Sequence, residues 1–198
     1  NRTDRVKLFI CASNVLTGKI KVFDRTEVSI DAVLASACLP FMFQAVEIAG
    51  EHYWDGGYMG NPPIYPLIYN CDCRDVLVVQ LNPIQIPELP TTAQAIADRI
   101  NTLSFNSSLM REMRAIHFVD SLIARGFDDG GRLKRLYVHT VDAEDVVGRL
   151  GVSSKLNADW DFLIQLFELG RERAAGFLAG QYDKIGRESS TDLAAKFL

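Results

Sequence analysis

The residues whose types and spacing suit chemistry lie between Val46 and Pro66. This stretch is dense in Gly, Pro and Asn and carries Trp54, Asp55, Gly56, Gly57, Asn61, Pro62 and Pro63 between two apolar segments. A carboxylate can take the proton of a hydroxyl nucleophile, and does so well only when its surroundings raise its pKa above about 3.9. Tyr53 and Trp54 beside Asp55 supply surroundings of low polarity. Gly56 and Gly57 permit positive φ and close backbone approach, which lets an aspartate at a strand end project into a cleft. Asp-Gly is also among the commonest turn pairs, so the second copy, Asp129-Gly130-Gly131, is an internal control. It follows a helical pattern and precedes a strand, lacks aromatic and Asn-Pro flanks, and is expected to be a helix-ending turn.

Other reactive residue types form weaker patterns. Cys71-x-Cys73 departs from the usual spacing of zinc ligands, and His52, His117 and His139 fall on different elements, so no metal centre is expected. Each histidine is expected at the surface or as a satisfied core residue. His52 is the one nearest to Asp55, but residues three apart along a strand face opposite sides, which argues against a Ser-His-Asp triad through it. Gly151-Val152-Ser153-Ser154-Lys155 breaks a G-x-S-x-G pattern at its fifth position, so Ser153 is not read as a nucleophile. Phe41, Met42 and Phe43 have the apolar character of an acyl-chain channel. Phe41, Phe43 and Trp54 are therefore candidate substrate contacts, although core packing is the favoured reading of the 41–43 run.

The elements that must position these residues follow from the apolar pattern. Val6–Ser13 is expected as a buried strand and Lys19–Phe23 as its hairpin partner, joined by a turn at Thr17-Gly18. Ser29 can cap a short helix over Asp31–Cys38, which Leu39-Pro40 ends because the residue before proline leaves helical geometry. Asp75–Leu81 is a continuous apolar run of strand length, expected in the middle of a sheet. Beyond a linker at Pro83–Pro90, Thr92–Ala124 has helical spacing, as one long helix or two, packed on a sheet rather than meeting lipid, and Gly126 is placed to end it. Arg132–Thr140 is expected as a strand, Asn157 as the cap of a helix through Trp160 and Phe167, and the tail as a short helix. Strands alternating with helices make the chain α/β.

The 198 residues, 48% apolar and 23% charged, are enough for one domain with a real core. The net charge of -4 and the lack of a Lys/Arg block exclude a nucleic-acid binder. Four cysteines, two of them (Cys11 and Cys38) inside apolar runs, suit a reducing compartment such as the cytoplasm. No run approaches the ~20 apolar residues of a spanning helix, so at most peripheral contact with a membrane or lipid surface is expected. The polar start, Asn1-Arg2-Thr3-Asp4-Arg5, has neither a signal-peptide apolar region nor an initiator Met, and suggests a fragment or a processed chain.

The run Ala35-Ser36-Ala37-Cys38-Leu39-Pro40-Phe41-Met42-Phe43, then Val46, Gly50, Tyr53-Trp54-Asp55-Gly56-Gly57 and Asn61-Pro62-Pro63, resembles the patatin-like phospholipase family in order and spacing. The resemblance extends over residues 6–82. It implies a three-layer α/β/α fold of which this chain supplies the C-terminal half with additional helices. Residues 1–90 would be the C-terminal part of the catalytic domain, and 91–198 a helical extension with one strand packed on the same domain. It also implies a serine-dependent lipid acyl ester hydrolase, phospholipase A-like, with a Ser-Asp dyad in which Asp55 is the base, and no cofactor. The family's G-x-S-x-G elbow and glycine-rich oxyanion loop, which precede the aspartate, do not occur in these residues. The serine is therefore expected in a missing N-terminal half, in the same precursor or a companion chain, and this chain alone is expected to be inactive on its lipid or acyl-ester substrate. The alternative is a catalytically inactive patatin-like lipid-binding or regulatory domain.

Overall fold

Apolar residues from Phe9 onward build a four-stranded antiparallel sheet in a computed structural model that describes residues 6–127 and 129–198. Strands β1 (Phe9–Asn14) and β2 (Ile20–Asp24) form the expected hairpin, with Cys11 opposite Val22. Its turn is held by Asn14, whose side-chain oxygen accepts the N–H groups of Leu16 and Thr17, and by Gly18 at φ +66°. A second hairpin joins β3 (Val46–Ile48) to β4 (Glu51–Asp55) through Ala49 and Gly50, both at positive φ, the backbone that a two-residue turn requires. The strand order β2-β1-β4-β3 brings Ala12 opposite Asp55.

Helix α1 (Ile30–Ser36) covers this sheet. Ser29 caps it as expected, accepting the N–H of Ala32 at 3.1 Å. Ala32 and Ala35 are fully buried against Ala12, Phe23 and Tyr53, small residues that let the helix approach the strands closely. The core reading of Phe41, Met42 and Phe43 is corrected here: Phe41 is fully exposed at φ +72°, and Met42 and Phe43 are more than half exposed or close to it. After Pro40 the N–H groups of Met42 and Phe43 both turn back to the Leu39 carbonyl, which directs these side chains outward. The buried member of the segment is Cys38, whose thiol donates to the Gln44 carbonyl at 3.1 Å. Helix α2 (Tyr65–Asn70), which the sequence reading did not anticipate, starts with Pro66 in its first turn, where a missing N–H costs nothing.

Strands β5 (Asp75–Gln80) and β6 (Tyr137–Asp142) pair in parallel in a separate sheet, with Leu77 opposite His139. The mid-sheet expectation for β5 does not hold: its one partner among the described residues is β6. Val76, Val78 and Gln80 are buried, while Leu77 and Val79 are exposed. A continuous apolar run signals a demand for burial on both faces, not the number of strand neighbours. The strand predicted from Arg132 begins only at Tyr137, because residues before it are spent in a turn with Gly130 and Gly131 at positive φ.

Helix α3 (Ala93–Ala124) is one continuous helix of 32 residues. Thr92 caps its start by accepting the Ala95 N–H, and Gly126, at φ +78°, closes its end. Asp129-Gly130-Gly131 therefore does not end the helix. It forms a later turn in which the Asp129 carboxylate accepts the N–H groups of Gly131 and Leu133. Helix α4 (Glu144–Val147) follows β6. Helix α5 (Trp160–Gln181) is capped by Asp159, which accepts the Phe162 N–H at 2.9 Å, rather than by Asn157, which sits two residues earlier and accepts the Asp159 N–H. Helix α6 (Leu193–Phe197) is the expected short final helix, with Phe197 fully buried.

The described residues group into two compact units. One holds the chain up to Cys71 together with Ser107–Glu112 of α3, and the other holds Asp72–Asn106 and Met113–Leu198. Among the described residues no helix is long and apolar enough to cross a membrane.

Candidate active site around Asp55

Asp55 closes β4, where the chain leaves the sheet. Its backbone is fixed from two sides: the N–H donates to the Cys38 carbonyl at 2.8 Å, and the C=O accepts the Ser13 hydroxyl at 2.8 Å. The strand thus ends between the loop after α1 and the end of β1. The half-buried side chain then caps a single 3-10 turn, Gly56–Tyr58, with Oδ1 accepting the Gly57 N–H at 2.7 Å. That bond helps to aim the carboxylate.

The two glycines permit this geometry, though not in the way expected. Neither Gly56 nor Gly57 is among the residues at positive φ, so the conformational half of the expectation is corrected. The close-approach half holds at Gly56, where a Cβ would lie 2.2 Å from the Cys11 carbonyl oxygen and 2.5 Å from its sulfur. No side chain fits between the Asp55 turn and β1.

The titratable groups that feel the Asp55 charge are ones that stay neutral near pH 7. Burial first, and the Asp55 charge second, push the Cys11 thiol up to about 11. Burial and then Asp55 also raise the Tyr58 phenol, while the Cys38 thiol is raised by burial, against a backbone hydrogen bond that lowers it, with Asp55 adding to the rise. Tyr53, two residues before and on the same face of β4 by strand alternation, is buried with its ring edge-on to Phe23, the centroids 5.6 Å apart. Trp54 faces the other side, and its indole N–H is buried with no hydrogen-bond partner among the described residues.

His52 also lies on the face away from Asp55 by the same alternation, and its Nε2 is 4.0 Å from Glu47 across the hairpin. Phe41 and Phe43 project outward from the turn that follows Cys38, so they share the loop that holds the Asp55 N–H without being packed beneath it. Cys71 and Cys73 are not joined in a disulfide, and among the described residues no group of three His, Cys, Asp or Glu side chains is arranged to hold a metal ion. The side chain of Ser153 lies outside those described.

His139 has a more organised setting than the sequence showed. It is 1% exposed, with Nε2 3.0 Å from Asp75 Oδ1 and Nδ1 2.8 Å from the Ser190 hydroxyl. This Ser-His-Asp chain is built as a clasp. Asp75 Oδ1 also accepts the Gly186 N–H, the Ser189 hydroxyl accepts the Val138 N–H, and the Thr191 N–H returns to the Val138 carbonyl, so residues 186–191 are laced onto β5 and β6. An imidazole sealed this completely is a satisfied core histidine, as expected for the three histidines.

The sequence reading missed the residues that hold the turn from outside. Ser13 and Cys11 sit in an apolar strand whose pattern marks burial only. Ser108 and Glu112 of α3 accept the N–H groups of Asn61 at 2.8 Å and Ile64 at 3.3 Å, contacts across more than 40 residues of chain that no local pattern signals.

No curated protein matches the chain. Residues 13–68 match the family model described as patatin-like phospholipase, a span that runs from the serine bonded to the Asp55 carbonyl into helix α2. The chain is thus similar to that family over the segment that builds the Asp55 turn, 56 of its 198 residues.

Proposed function

We propose that this chain supplies the base of a Ser-Asp dyad in a phospholipase A-like lipid acyl ester hydrolase. Asp55 takes the proton of a serine hydroxyl presented from outside these residues, and the serine oxygen attacks the acyl carbonyl while backbone N–H groups hold the oxyanion. The alcohol leaves with the proton returned by Asp55, and water, deprotonated by the same carboxylate, releases the fatty acid and restores the serine. No metal or organic cofactor enters this scheme.

The observation that carries the reading is the setting of the Asp55 carboxylate. It is aimed by the Gly57 N–H and half-buried, and its charge adds to the burial that raises two thiols and a phenol, within the segment that matches the family. A carboxylate aimed by the backbone and partly removed from water is placed to take the proton of a hydroxyl brought to it.

The test uses the protein in its full natural chain, with fluorophosphonate labelling and hydrolysis of a short acyl ester, for the native protein and Asp55→Asn. Labelling of a serine outside residues 1–198, with hydrolysis reduced roughly 10²–10⁴-fold in Asp55→Asn, is the expected result. Absence of both label and hydrolysis in the native protein would instead favour a patatin-like domain that binds or regulates without catalysis.

A further inference from the structure

The direction of the Asp55 carboxylate depends on the Gly57 N–H, and therefore on where the backbone of residues 56–60 lies. That backbone is pressed against β1 at Gly56 but has few attachments beyond that point. Three of its five residues, Gly56, Gly57 and Gly60, have no side chain to pack, and glycine backbone is the costliest to order. Internal bonds roll the turn up, from the N–H groups of Met59 and Gly60 to the Gly56 carbonyl, but a rolled turn can still pivot as a unit. The Cys11 thiol meets the Gly60 carbonyl only at 3.4 Å, and a thiol is a weak donor.

The firm attachment on the far side comes from α3. Ser108, 6% exposed, accepts the Asn61 N–H at 2.8 Å. One helical turn later, on the same face, half-buried Glu112 accepts the Ile64 N–H at 3.3 Å, with the N–H of Tyr65 also close enough to lower its carboxyl. Leu109, in the same stretch of α3, is essentially fully buried, and the compact unit that contains Asp55 includes Ser107–Glu112. Glu112 is an unusual choice for a structural acceptor: burial pushes its carboxyl up, and the two N–H donors counteract that. A buried acidic side chain is retained at a cost, one offset by fixing two successive backbone amides.

We propose that Ser108 and Glu112 are positioning residues for Asp55. They hold the segment Asn61–Tyr65, and through it the Gly56–Gly60 turn, so that the carboxylate meets the serine hydroxyl in line. The inference rests on Asp55 being the base. A misplacement on the order of 1 Å at a reacting group can lower a rate about 100-fold, so anchors of this kind act on kcat rather than on substrate affinity.

The experiment is a double-mutant cycle in the full natural chain, with kcat, KM and thermal midpoint measured on a soluble short acyl ester. Glu112→Ala and Ser108→Ala are expected to lower kcat by about tenfold or more with KM within about twofold. Glu112→Gln, which keeps an acceptor oxygen, recovers most of the rate. In an Asp55→Asn background the same substitutions change the residual rate by less than about twofold, because groups that act as a unit are not additive. If Glu112→Ala does not fold, Ser108→Ala and Glu112→Gln carry the cycle. Full losses persisting in the Asp55→Asn background, a rise in KM with kcat unchanged, or equal rates for Glu112→Gln and Glu112→Ala would each overturn the proposal. A fully active Asp55→Asn enzyme would sink the dyad itself, and the proposal with it, and is recognised from that single variant.

Discussion

Replacing Gly56 by alanine tests whether the Asp55 turn is held by space rather than by backbone conformation. The new Cβ would stand 2.2 Å from the Cys11 carbonyl oxygen, whereas carbon–oxygen contacts settle at roughly 3.3 Å or more. The turn and β1 must separate by about 1 Å, and neither side can yield by a side-chain rotation, because one atom is backbone and the other is the Cβ itself. The separation strains the pairing of Ala12 with Asp55 and the Ser13 hydroxyl bond to the Asp55 carbonyl. Overpacking of this kind costs about 1–3 kcal/mol, or more where backbone must move. For a chain of this size that corresponds to a thermal midpoint lower by about 2–12 °C. Displacing the carboxylate by a similar distance is expected to reduce ester hydrolysis by about 100-fold. A melting curve by circular dichroism and a rate on a short acyl ester, taken on the same preparation, read both effects. An alanine variant with the native midpoint and the native rate would refute the close-approach argument.

The remaining predictions follow from elsewhere in the chain. Gly170 lies inside α5 with nothing within 4 Å of a built Cβ, so Gly170→Ala is expected to raise stability by about 0.5–1 kcal/mol in denaturant unfolding, the opposite sign to Gly56→Ala. Asp75→Asn weakens the clasp around His139. Burial acts to raise the Asp75 carboxyl, but the Gly186 N–H and the bond and charge of His139 outweigh it and hold it below the usual carboxylate range. The ionised group therefore stabilises the fold above the unfolded value of about 3.9, and that contribution disappears as pH falls through the lower folded value. The stability gap between native and Asp75→Asn protein should be full at pH 7 and close on acidification, and a gap independent of pH would count against the clasp.

The sequence was most readable where structure is decided within a few residues. Ser29 before an apolar run, Gly126 after one, and Thr17-Gly18 between two strand patterns each act on backbone groups three or four positions away, and each does so here. Reading failed where the outcome depends on what lies across the fold. The DVLVVQL run shows how apolar β5 is but not which strands flank it. The aromatic run at Phe41 shows apolar character but not that Met42 and Phe43 turn back on Leu39. The same holds at the site: Asp55 is legible from its local pattern, whereas Cys11, Ser13, Ser108 and Glu112 reach the turn through contacts between distant segments. Asp159 took the cap from Asn157 for a smaller reason, since both are good caps and the first residue of the helix decides between them.

The two Asp-Gly-Gly copies show how one tripeptide serves different physical ends. In both, the aspartate Oδ1 accepts the N–H two residues on, at 2.7 Å in Asp55-Gly56-Gly57 and 3.0 Å in Asp129-Gly130-Gly131. At Gly130 and Gly131 the φ angles are +71° and +77° and nothing lies within 4 Å of a built Cβ, so the glycines supply conformational freedom in an open turn. At Gly56 the φ is not positive and the surroundings are closed at 2.2 Å, so the glycine supplies room. Both aspartates are half-buried, but the Asp129 carboxylate is also engaged by the Leu133 N–H. The Asp55 turn is pressed against β1, and the Asp55 charge adds to the burial that raises the Cys11 and Cys38 thiols and the Tyr58 phenol. The two identical tripeptides therefore differ in the packing of the glycine that follows the aspartate, which is why Gly56 is the position whose substitution should tell the Asp55 turn from an open one.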